Sequence, residues 1–341
     1  MRALAPATGT PSARALADAL GRHADNPSAF LALNNGTEQF TLPRSDGFIA
    51  YRRSGRYLVQ LGGPFAAEED QDRLLDGFLQ QAALERRRVV GVQLMRRDIA
   101  RYAERGFVIN QFGASYARSL GGFSLRGKPH MRLRNKLSRA RRAGVVVSEL
   151  GVDCDVSPEI GAELDGIDRQ WLRAKGRHVK ELTFLIGERG GPAGDFRRTF
   201  AAFAEGRVVG YVSFSPVHGS RGGWLHDLSR RLPSAPPGTQ DLIVATAIER
   251  FQSEGEEWLH FGMTPFTGLD PANEHPTNSS RLAARIVRLL AERGEKLYPA
   301  ADQLAYKMKW APDVVEPEYL AFPGRVRLGA VWQLLRLTNS V

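Results

Sequence analysis

Asp227 and Arg230 are the two residues whose type and spacing most favour chemistry. Asp227 lies near the end of a short predicted strand, residues 224–228, and Arg230 lies just beyond it. A proline-rich loop at 233–238 then leads into a predicted helix with Thr239 as its N-cap. The N-terminus of a helix carries free N–H groups and a partial positive charge, which suit a phosphate or a developing oxyanion. The pair therefore indicates either an acyl-transfer site or a local structural ion pair.

The sequence lacks several signatures of covalent or metal-dependent catalysis. It contains no Gly-x-Ser-x-Gly elbow, no Cys–His arrangement, no pair of histidines at helical spacing and no Walker loop. The single cysteine, Cys154, stands between Asp153 and Asp155, whose negative charge disfavours a thiolate. We therefore expect no metal, no cofactor and no activation by ATP, so an acyl donor must arrive already activated.

The charge of the chain is strongly positive and unevenly distributed. Its 341 residues include 47 Lys or Arg and 37 Asp or Glu, which gives a net charge of +10. Residues 105–148 contain no acidic residue, and the centre of this stretch, residues 131–143, has helical spacing with one apolar seam. A helix with a packed seam and a cationic face suits a phosphate backbone. The predicted tRNA- or phosphate-binding residues are Arg132, Arg134, Lys136, Arg139 and Arg142.

This basic helix has three interpretations that the sequence leaves open. Binding RNA and lying on an anionic membrane both use the same cationic face. A solvated connector between domains needs no ligand, although a complete absence of acids is unusual for a plain connector. The N-terminus does not have the pattern of a signal peptide, and no run of ~18 apolar residues occurs. We therefore expect a cytoplasmic protein, for which membrane contact would be peripheral and at the inner face.

Strand and helix patterns alternate along the chain in two successive units. The first has the predicted order strand, strand, helix, strand, at residues 48–51, 57–61, 67–87 and 89–94. The second has the same predicted order, at residues 207–215, 224–228, 239–253 and 258–261. Residues 196–203 are predicted as a further helix before the second unit. This repetition predicts an α/β fold with mixed sheets and two similar domains.

Short motifs occur in a fixed order along residues 28–323. In the second half they are Asp227-Leu228-Ser229-Arg230, Ala235-Pro236-Pro237-Gly238 followed by Asp241, and Gly262-Met263-Thr264-Pro265. Elsewhere they include Gly55-Arg56-Tyr57, Leu133-Arg134-Asn135-Lys136 and Tyr306-Lys307-Met308-Lys309-Trp310. The ordered set resembles the catalytic domain of the phosphatidylglycerol lysyltransferase, or aminoacyl-phosphatidylglycerol synthase, family. Ser229 and Trp310 depart from that family's usual Met and Phe.

The resemblance implies two GNAT-like domains in tandem, joined by the basic helix. The implied boundaries are an N-terminal extension at 1–27, a first domain at 28–129, the helix at 130–145 and a catalytic domain at 146–341. The implied reaction moves an aminoacyl group from aminoacyl-tRNA to a hydroxyl of an anionic phospholipid, with Asp227 and Arg230 as catalytic residues. The implied substrate-binding residues are Lys307, Glu181, Gly238, Asp241, Gly262 and Met263. The family's membrane-embedded portion is not in this sequence, so the acceptor is less defined than the donor.

Other functions remain open at this point. A ligase using aminoacyl-tRNA with a small-molecule amine or hydroxyl as acceptor would need the same donor chemistry. An acetyl-CoA-dependent acetyltransferase needs a Gln/Arg-x-x-Gly-x-Gly/Ala loop, which residues 235–241 do not supply. A non-catalytic RNA- or membrane-binding module would use the basic helix alone. The C-terminal pattern at 326–337 predicts an amphipathic helix that either lies in a membrane interface or packs on the second domain.

Overall fold

The computed structural model describes residues 11–174, 184–293 and 300–338. Eleven strands in this part of the chain form one continuous mixed sheet. They are β1 (Glu38–Thr41), β2 (Phe48–Ser54), β3 (Tyr57–Phe65), β4 (Arg88–Leu94), β5 (Phe107–Ser119), β6 (Val146–Glu149), β7 (Arg198–Ala204), β8 (Arg207–Val217), β9 (Gly223–Arg231), β10 (Trp258–Pro265) and β11 (Val314–Pro323). Their spatial order is β1-β2-β3-β4-β11-β5-β10-β9-β8-β7-β6.

Helices cover this sheet within the described residues. They are α1 (Ala13–His23), α2 (Glu68–Leu84), α3 (Ile99–Glu104), α4 (Met131–Arg142), α5 (Pro158–Ala174), α6 (Thr239–Ser253), α7 (Arg281–Arg293), α8 (Ala300–Met308) and α9 (Leu328–Leu337). The predicted basic helix is confirmed as α4, which buries Leu133, Leu137 and Ala140. Over the described ranges, no helix has the length and apolar character needed to cross a membrane.

One strand–helix unit occurs twice in the sheet. In the first unit the antiparallel pair β2–β3 is followed by α2 and by β4, which lies parallel to β3. In the second unit the antiparallel pair β8–β9 is followed by α6 and by β10, which lies parallel to β9. The mixed α/β class and its repeated unit, both predicted from the alternating patterns, are therefore confirmed.

The last strand of the chain joins the two units. Strand β11 lies between β4 and β5 and is antiparallel to both. Strand β5 in turn pairs with β10 of the second unit. Residues 314–323 thus complete the sheet beside the first unit, although they follow the second unit in sequence. The domain boundaries implied by the family resemblance stay a prediction.

The helix predicted at residues 196–203 is wrong, because most of this segment forms the strand β7 (Arg198–Ala204). Phe200 and Ala202 belong to the apolar cluster that includes α6, whereas Ala201 faces a second cluster that includes α5. Both faces of this part of the sheet are therefore covered. A strand buried on both sides has a continuous apolar run, and such a run does not show the alternation that distinguishes a strand from a helix.

Candidate active site

A cavity of about 1180 Å³ lies where β9 and β10 separate. The two strands pair in parallel only as far as Leu225 and His260. Beyond this point β9 continues beside β8, and β10 continues beside β5, so a gap opens within the sheet. Residues of β9, β10, α4, α6, α8 and α9 line the cavity. A crevice at the carboxyl ends of parallel strands is a common ligand site in α/β proteins.

Asp227 lies in a β-bulge in the wall of this cavity. On the neighbouring strand β8, Ser213 pairs with Leu228 and the next residue, Phe214, pairs with His226. Asp227 is therefore an extra residue between two paired ones. A bulge of this kind bends its strand and changes the direction of a side chain, and bulges are frequent beside active sites. Asp227 is one of the residues that line the cavity.

The carboxylate of Asp227 is buried beside a cation and a hydroxyl. Its side chain is 2% exposed, and its Oδ2 lies 3.5 Å from Nε of Arg197. The hydroxyl of Ser215 donates a hydrogen bond to the same oxygen. Burial raises the pKa of Asp227, and the opposing effects of Arg197 and Ser215 do not cancel that rise. A carboxylate with a raised pKa is better matched to accepting a proton near neutral pH.

Arg197 connects Asp227 to the N-terminal part of the chain. Its Nη2 donates to Oδ1 of Asn34 at 2.6 Å, and its guanidinium lies 5.4 Å from the centre of the Phe30 ring. Gly187 closes the other side, because a Cβ at this position would lie 2.1 Å from Cγ of Asp227. The position of the carboxylate therefore depends on residues 30–34 and 187–197, which are distant from it in sequence.

Arg230 is held separately from Asp227. It is 5% exposed, and its guanidinium carbon lies 3.7 Å from the centre of the Trp171 ring. The side-chain amide of Gln240 donates to the backbone oxygen of Arg230 at 2.7 Å. Trp171 and Gln240 line the cavity, whereas Arg230 lies behind them. Within the described residues, the ion pair of Asp227 is with Arg197 and not with Arg230. The interpretation of Asp227 and Arg230 as a local structural ion pair therefore does not account for their spacing.

The loop before α6 is shaped by close contact with α4. Gly238 has a φ of +92°, and a Cβ there would lie 2.3 Å from the backbone oxygen of Lys136. The predicted N-cap, Thr239, is wrong: Gly238 occupies the N-cap position and Thr239 is the first residue of α6. The hydroxyl of Thr239 donates to the backbone oxygen of Pro236 at 2.7 Å. Glycine is thus needed both for its backbone conformation and for the approach of the basic helix.

Asp241 of α6 contacts α4 and the turn after α8 at the cavity wall. Nζ of Lys309, in the turn directly after α8, lies 3.0 Å from Oδ1 of Asp241, and Nζ of Lys136 on α4 lies 3.9 Å from Oδ2. The Asp241 side chain is 7% exposed, while that of Lys136 is 51% exposed. This predicted substrate-binding residue therefore already has two cationic partners, one of which also faces solvent.

Lys307 also lines the cavity, with its amine almost enclosed. The amine donates to the backbone oxygen of Gly262 at 2.6 Å and lies 5.4 Å from the centre of the Tyr116 ring. Burial lowers the pKa of Lys307 to about 7. Burial also raises the pKa of the nearby Glu318 to about 7. The predicted residue Met263 lines the cavity beside Gly262.

The family model for the C-terminal part of phosphatidylglycerol lysyltransferase matches residues 17–322 of this chain. The chain belongs to this family. Phosphatidylglycerol lysyltransferase of Bacillus subtilis is 27% identical over 285 residues, which cover 82% of this chain and 31% of that protein. The lysylphosphatidylglycerol biosynthesis bifunctional protein LysX of Mycobacterium avium is 33% identical over 155 residues, 45% of this chain and 13% of that protein. The chain therefore spans at most about a third of these lysyltransferase relatives.

Two solved structures share the fold of this lysyltransferase-family chain. The structure of L-PGS from Bacillus licheniformis has a TM-score of 0.77 and 22% identity, and covers 98% of this chain and 99% of that one. The C-terminal domain of a putative lysylphosphatidylglycerol synthetase from Agrobacterium fabrum has a TM-score of 0.73 and 23% identity, with 96% and 95% covered. The agreement over nearly the whole length shows that the chain shares its fold with both.

The predicted phosphate-binding residues of this family member do not all have the same environment. Lys136 and Arg139 line the cavity, while Arg132 and Arg142 are exposed elsewhere on α4. Arg134 donates to the backbone oxygens of residues 125 and 127 at 2.5 and 2.6 Å, so it stabilises the turn before the helix. Gly238, Asp241, Gly262 and Lys307 also line the cavity, whereas Glu181 lies outside the described residues.

Several polar residues of the cavity were not predicted from the sequence. His226 lines it beside Asp227, its Nε2 is 3.5 Å from the hydroxyl of Tyr306, and burial lowers its pKa to about 4. Gln93 of the first unit also lines it, with a φ of +52° and a side-chain oxygen that has no hydrogen-bond partner among the described residues. Arg197, which contacts Asp227 but does not line the cavity, lies in none of the motifs. Only the position of His226 beside Asp227 offered a signal in the sequence.

Proposed function

We propose that this protein transfers an aminoacyl group from aminoacyl-tRNA to a hydroxyl of an anionic phospholipid of the phosphatidylglycerol type. The observation that supports this most is the burial of Asp227 in the wall of a cavity that Lys136 and Arg139 of the basic helix also line. A proton acceptor and a cationic surface for a polyanion thereby meet in one space. The names of the relatives from Bacillus subtilis and Mycobacterium avium supply the lipid and the amino acid as candidates.

The proposed step is a direct transfer between two oxygen atoms. The acceptor hydroxyl attacks the carbonyl carbon of the aminoacyl ester, and Asp227 accepts the hydroxyl proton. The bond between that carbon and the ribose oxygen of the tRNA then breaks, and the proton passes to the ribose oxygen. The ammonium form of Lys307 lines the cavity and binds the acceptor, while Arg230, behind Trp171 and Gln240, adds positive charge to this wall without touching the reacting atoms. An ester is already reactive, so no covalent intermediate with the protein is needed.

The donor side of the proposal depends on α4. Lys136 and Arg139 lie at the cavity, and the exposed Arg132 and Arg142 extend the cationic surface along the same helix. Phosphate contacts of this type release counterions, so binding should weaken steeply with salt. The 3′ end of a tRNA bound along α4 would then enter the cavity where α4 meets the loop at Gly238.

The acceptor side depends on the apolar part of the cavity wall, which elements other than α4 supply. Here the cavity is lined by apolar side chains, among them Phe112, Leu290, Leu334 and Leu335. Such a wall suits an acyl chain or glycerol backbone better than a fully polar metabolite. An acetyl-CoA-dependent reaction is less well supported, because Pro236 and Pro237 remove two backbone N–H donors from the loop where a pyrophosphate would bind.

The test is a transfer assay with both types of acceptor. The protein is incubated with a set of tRNAs, each carrying its own radiolabelled amino acid. Phosphatidylglycerol vesicles and a mixture of small-molecule amines and alcohols are both present, and the lipid and aqueous products are separated. We expect label in the lipid fraction, and none when Asp227 is replaced by Asn. Label only in a new aqueous product would make the acceptor a small molecule. Binding of tRNA without any transfer would contradict an enzymatic role.

A further inference from the structure

Helices α7 and α9 each leave a stripe of large apolar side chains uncovered. On α7 the stripe is Leu282, Ile286 and Leu289, which are 66%, 47% and 48% exposed. On α9 it is Leu328, Trp332 and Leu335, which are 87%, 55% and 38% exposed. In both helices the three residues have the spacing i, i+4, i+7, which places them on one face.

These two stripes account for much of the exposed apolar surface. They contain six of the thirteen large hydrophobic side chains that are exposed in the described residues. The other seven are dispersed over separate elements, as Leu84, Met131, Val146, Val152, Val156, Met308 and Val315. Scattered apolar residues are normal on a protein surface, whereas contiguous stripes indicate a contact with another apolar phase.

Arginines flank both stripes. On α7 an exposed row of Arg281, Arg285 and Arg288 runs beside the apolar one, and Arg293 ends the helix. Arg325 and Arg327 precede α9, and Arg336 lies in its last turn. An apolar face bordered by arginines, with a tryptophan on it, is the composition of a helix that lies in the interface of an anionic bilayer.

Both helices also contribute to the cavity. Leu290 of α7 and Leu334 and Leu335 of α9 line it, each beside or within the uncovered stripe of its helix. A surface held against a bilayer by the two stripes would therefore place the apolar wall of the cavity next to the lipid. A bilayer fits better than a protein partner, because the cationic borders match anionic headgroups on both helices.

We propose that the stripes of α7 and α9 form a docking surface for an anionic lipid bilayer. This proposal adds a membrane contact to the proposed function. It rests on that function only for the identity of the acceptor, because docking itself requires no reaction. Leucine, isoleucine and tryptophan side chains would enter the interface, and the arginines would bind headgroup phosphates. The basic helix α4 would stay available for RNA, because it contributes a different wall of the cavity.

The test compares vesicle binding of two triple variants. One variant replaces Leu282, Ile286 and Trp332 by Ser, none of which lines the cavity; the matched control replaces the exposed Leu84, Val152 and Val315 by Ser. Sedimentation with vesicles is measured for phosphatidylcholine alone and with roughly one third phosphatidylglycerol. We expect the protein to bind the anionic vesicles, and the stripe variant to bind at least about tenfold more weakly while the control does not change. Circular dichroism confirms that both variants are folded.

Several results would overturn the docking surface. They are absence of wild-type binding to anionic vesicles, equal binding by the stripe variant, and a wild-type dimer in solution that the stripe variant abolishes. Transfer to phosphatidylglycerol in detergent micelles separates this proposal from the proposed function. A stripe variant that is active on micelles but not on vesicles supports both. A wild-type protein that binds vesicles and transfers nothing contradicts the function alone.

Discussion

Oδ2 of Asp227 lies 3.5 Å from Nε of Arg197, and both side chains are 2% exposed. The pair joins the bulged strand β9 to Asn34 through the hydrogen bonds of Arg197. Burying a charged group costs free energy, and the attraction of an oppositely charged partner offsets that cost only while both groups are present. This relationship therefore has consequences both for the stability of the protein and for the pH at which Asp227 accepts a proton.

Replacing Arg197 by Met should destabilise the fold by about 3–5 kcal/mol, because it leaves the buried carboxylate without a cationic partner. Arg197 lowers the pKa of Asp227, so its removal raises that pKa further. The reaction needs the deprotonated carboxylate, and the acidic limb of the pH–rate profile should therefore move to higher pH. Urea unfolding and the pH profile measure the two effects. Arg207→Met is the control, since the side chain of Arg207 is 80% exposed and its pair should contribute at most about 1 kcal/mol.

Replacing Asp227 by Asn should lower kcat at least about 100-fold, because a neutral amide cannot accept the hydroxyl proton. Binding of tRNA should not change. Asp46→Asn provides a matched control, since that carboxylate is 52% exposed and lies on another part of the surface. Single-turnover transfer rates measure the loss, and a variant of Asp227 with wild-type rates would exclude it as the base.

Replacing Gly238 by Ala should destabilise the protein and separate α4 from the start of α6. The Cβ would meet the backbone oxygen of Lys136 at 2.3 Å. Gly255→Ala is a close control, because Gly255 has a φ of +81° and no atom within 4 Å of a Cβ. The control should lower the free energy of unfolding by about 1–2 kcal/mol because of its backbone conformation. Gly238→Ala should lower it by about 1–3 kcal/mol more because of the steric overlap with Lys136. Equal losses in thermal unfolding would contradict the steric argument.

Replacing Lys136 and Arg139 together by Ala should weaken tRNA binding and flatten its dependence on salt. Each lost phosphate contact lowers the slope of log K against log salt by about 1. The matched double variant Arg56→Ala/Arg88→Ala removes two exposed charges of the first unit and should leave that slope nearly unchanged. Filter binding over a range of salt concentrations gives both slopes. Identical slopes for the two variants would place the RNA elsewhere.

Lys307 should make acceptor binding depend on pH close to neutrality. Its pKa is lowered to about 7, so its ammonium form is lost as the pH rises through that value. If the ammonium binds the acceptor, KM should rise about fivefold between pH 7 and pH 8. Lys307→Arg keeps the charge throughout and should remove this rise. A KM that is constant in the wild-type protein would assign Lys307 a structural role.

Short-range patterns in the sequence were sufficient for several features of this protein. Leu133, Leu137 and Ala140 form the seam that α4 buries, because their spacing matches the period of a helix. Gly238 and Asp241 lie at the start of α6 and line the cavity. The start of this helix was predictable because the residue types that end a loop and begin a helix occur within a few positions of each other. The order of motifs was also enough to indicate the family, which the match over residues 17–322 confirms.

Only the tertiary structure decided how these segments meet. The bulge at Asp227 exists because β8 and β9 pair with a shift in register, and nothing in the local sequence states that register. Arg197 and Gln93 reach the site from segments far away in the chain. Strand β7 lacks the alternation typical of a strand, because both of its faces are buried. The amino-acid sequence determined the local elements and the distribution of charge. Pairing between distant strands, which depends on the packing of the whole sheet, determined which side chains share the cavity.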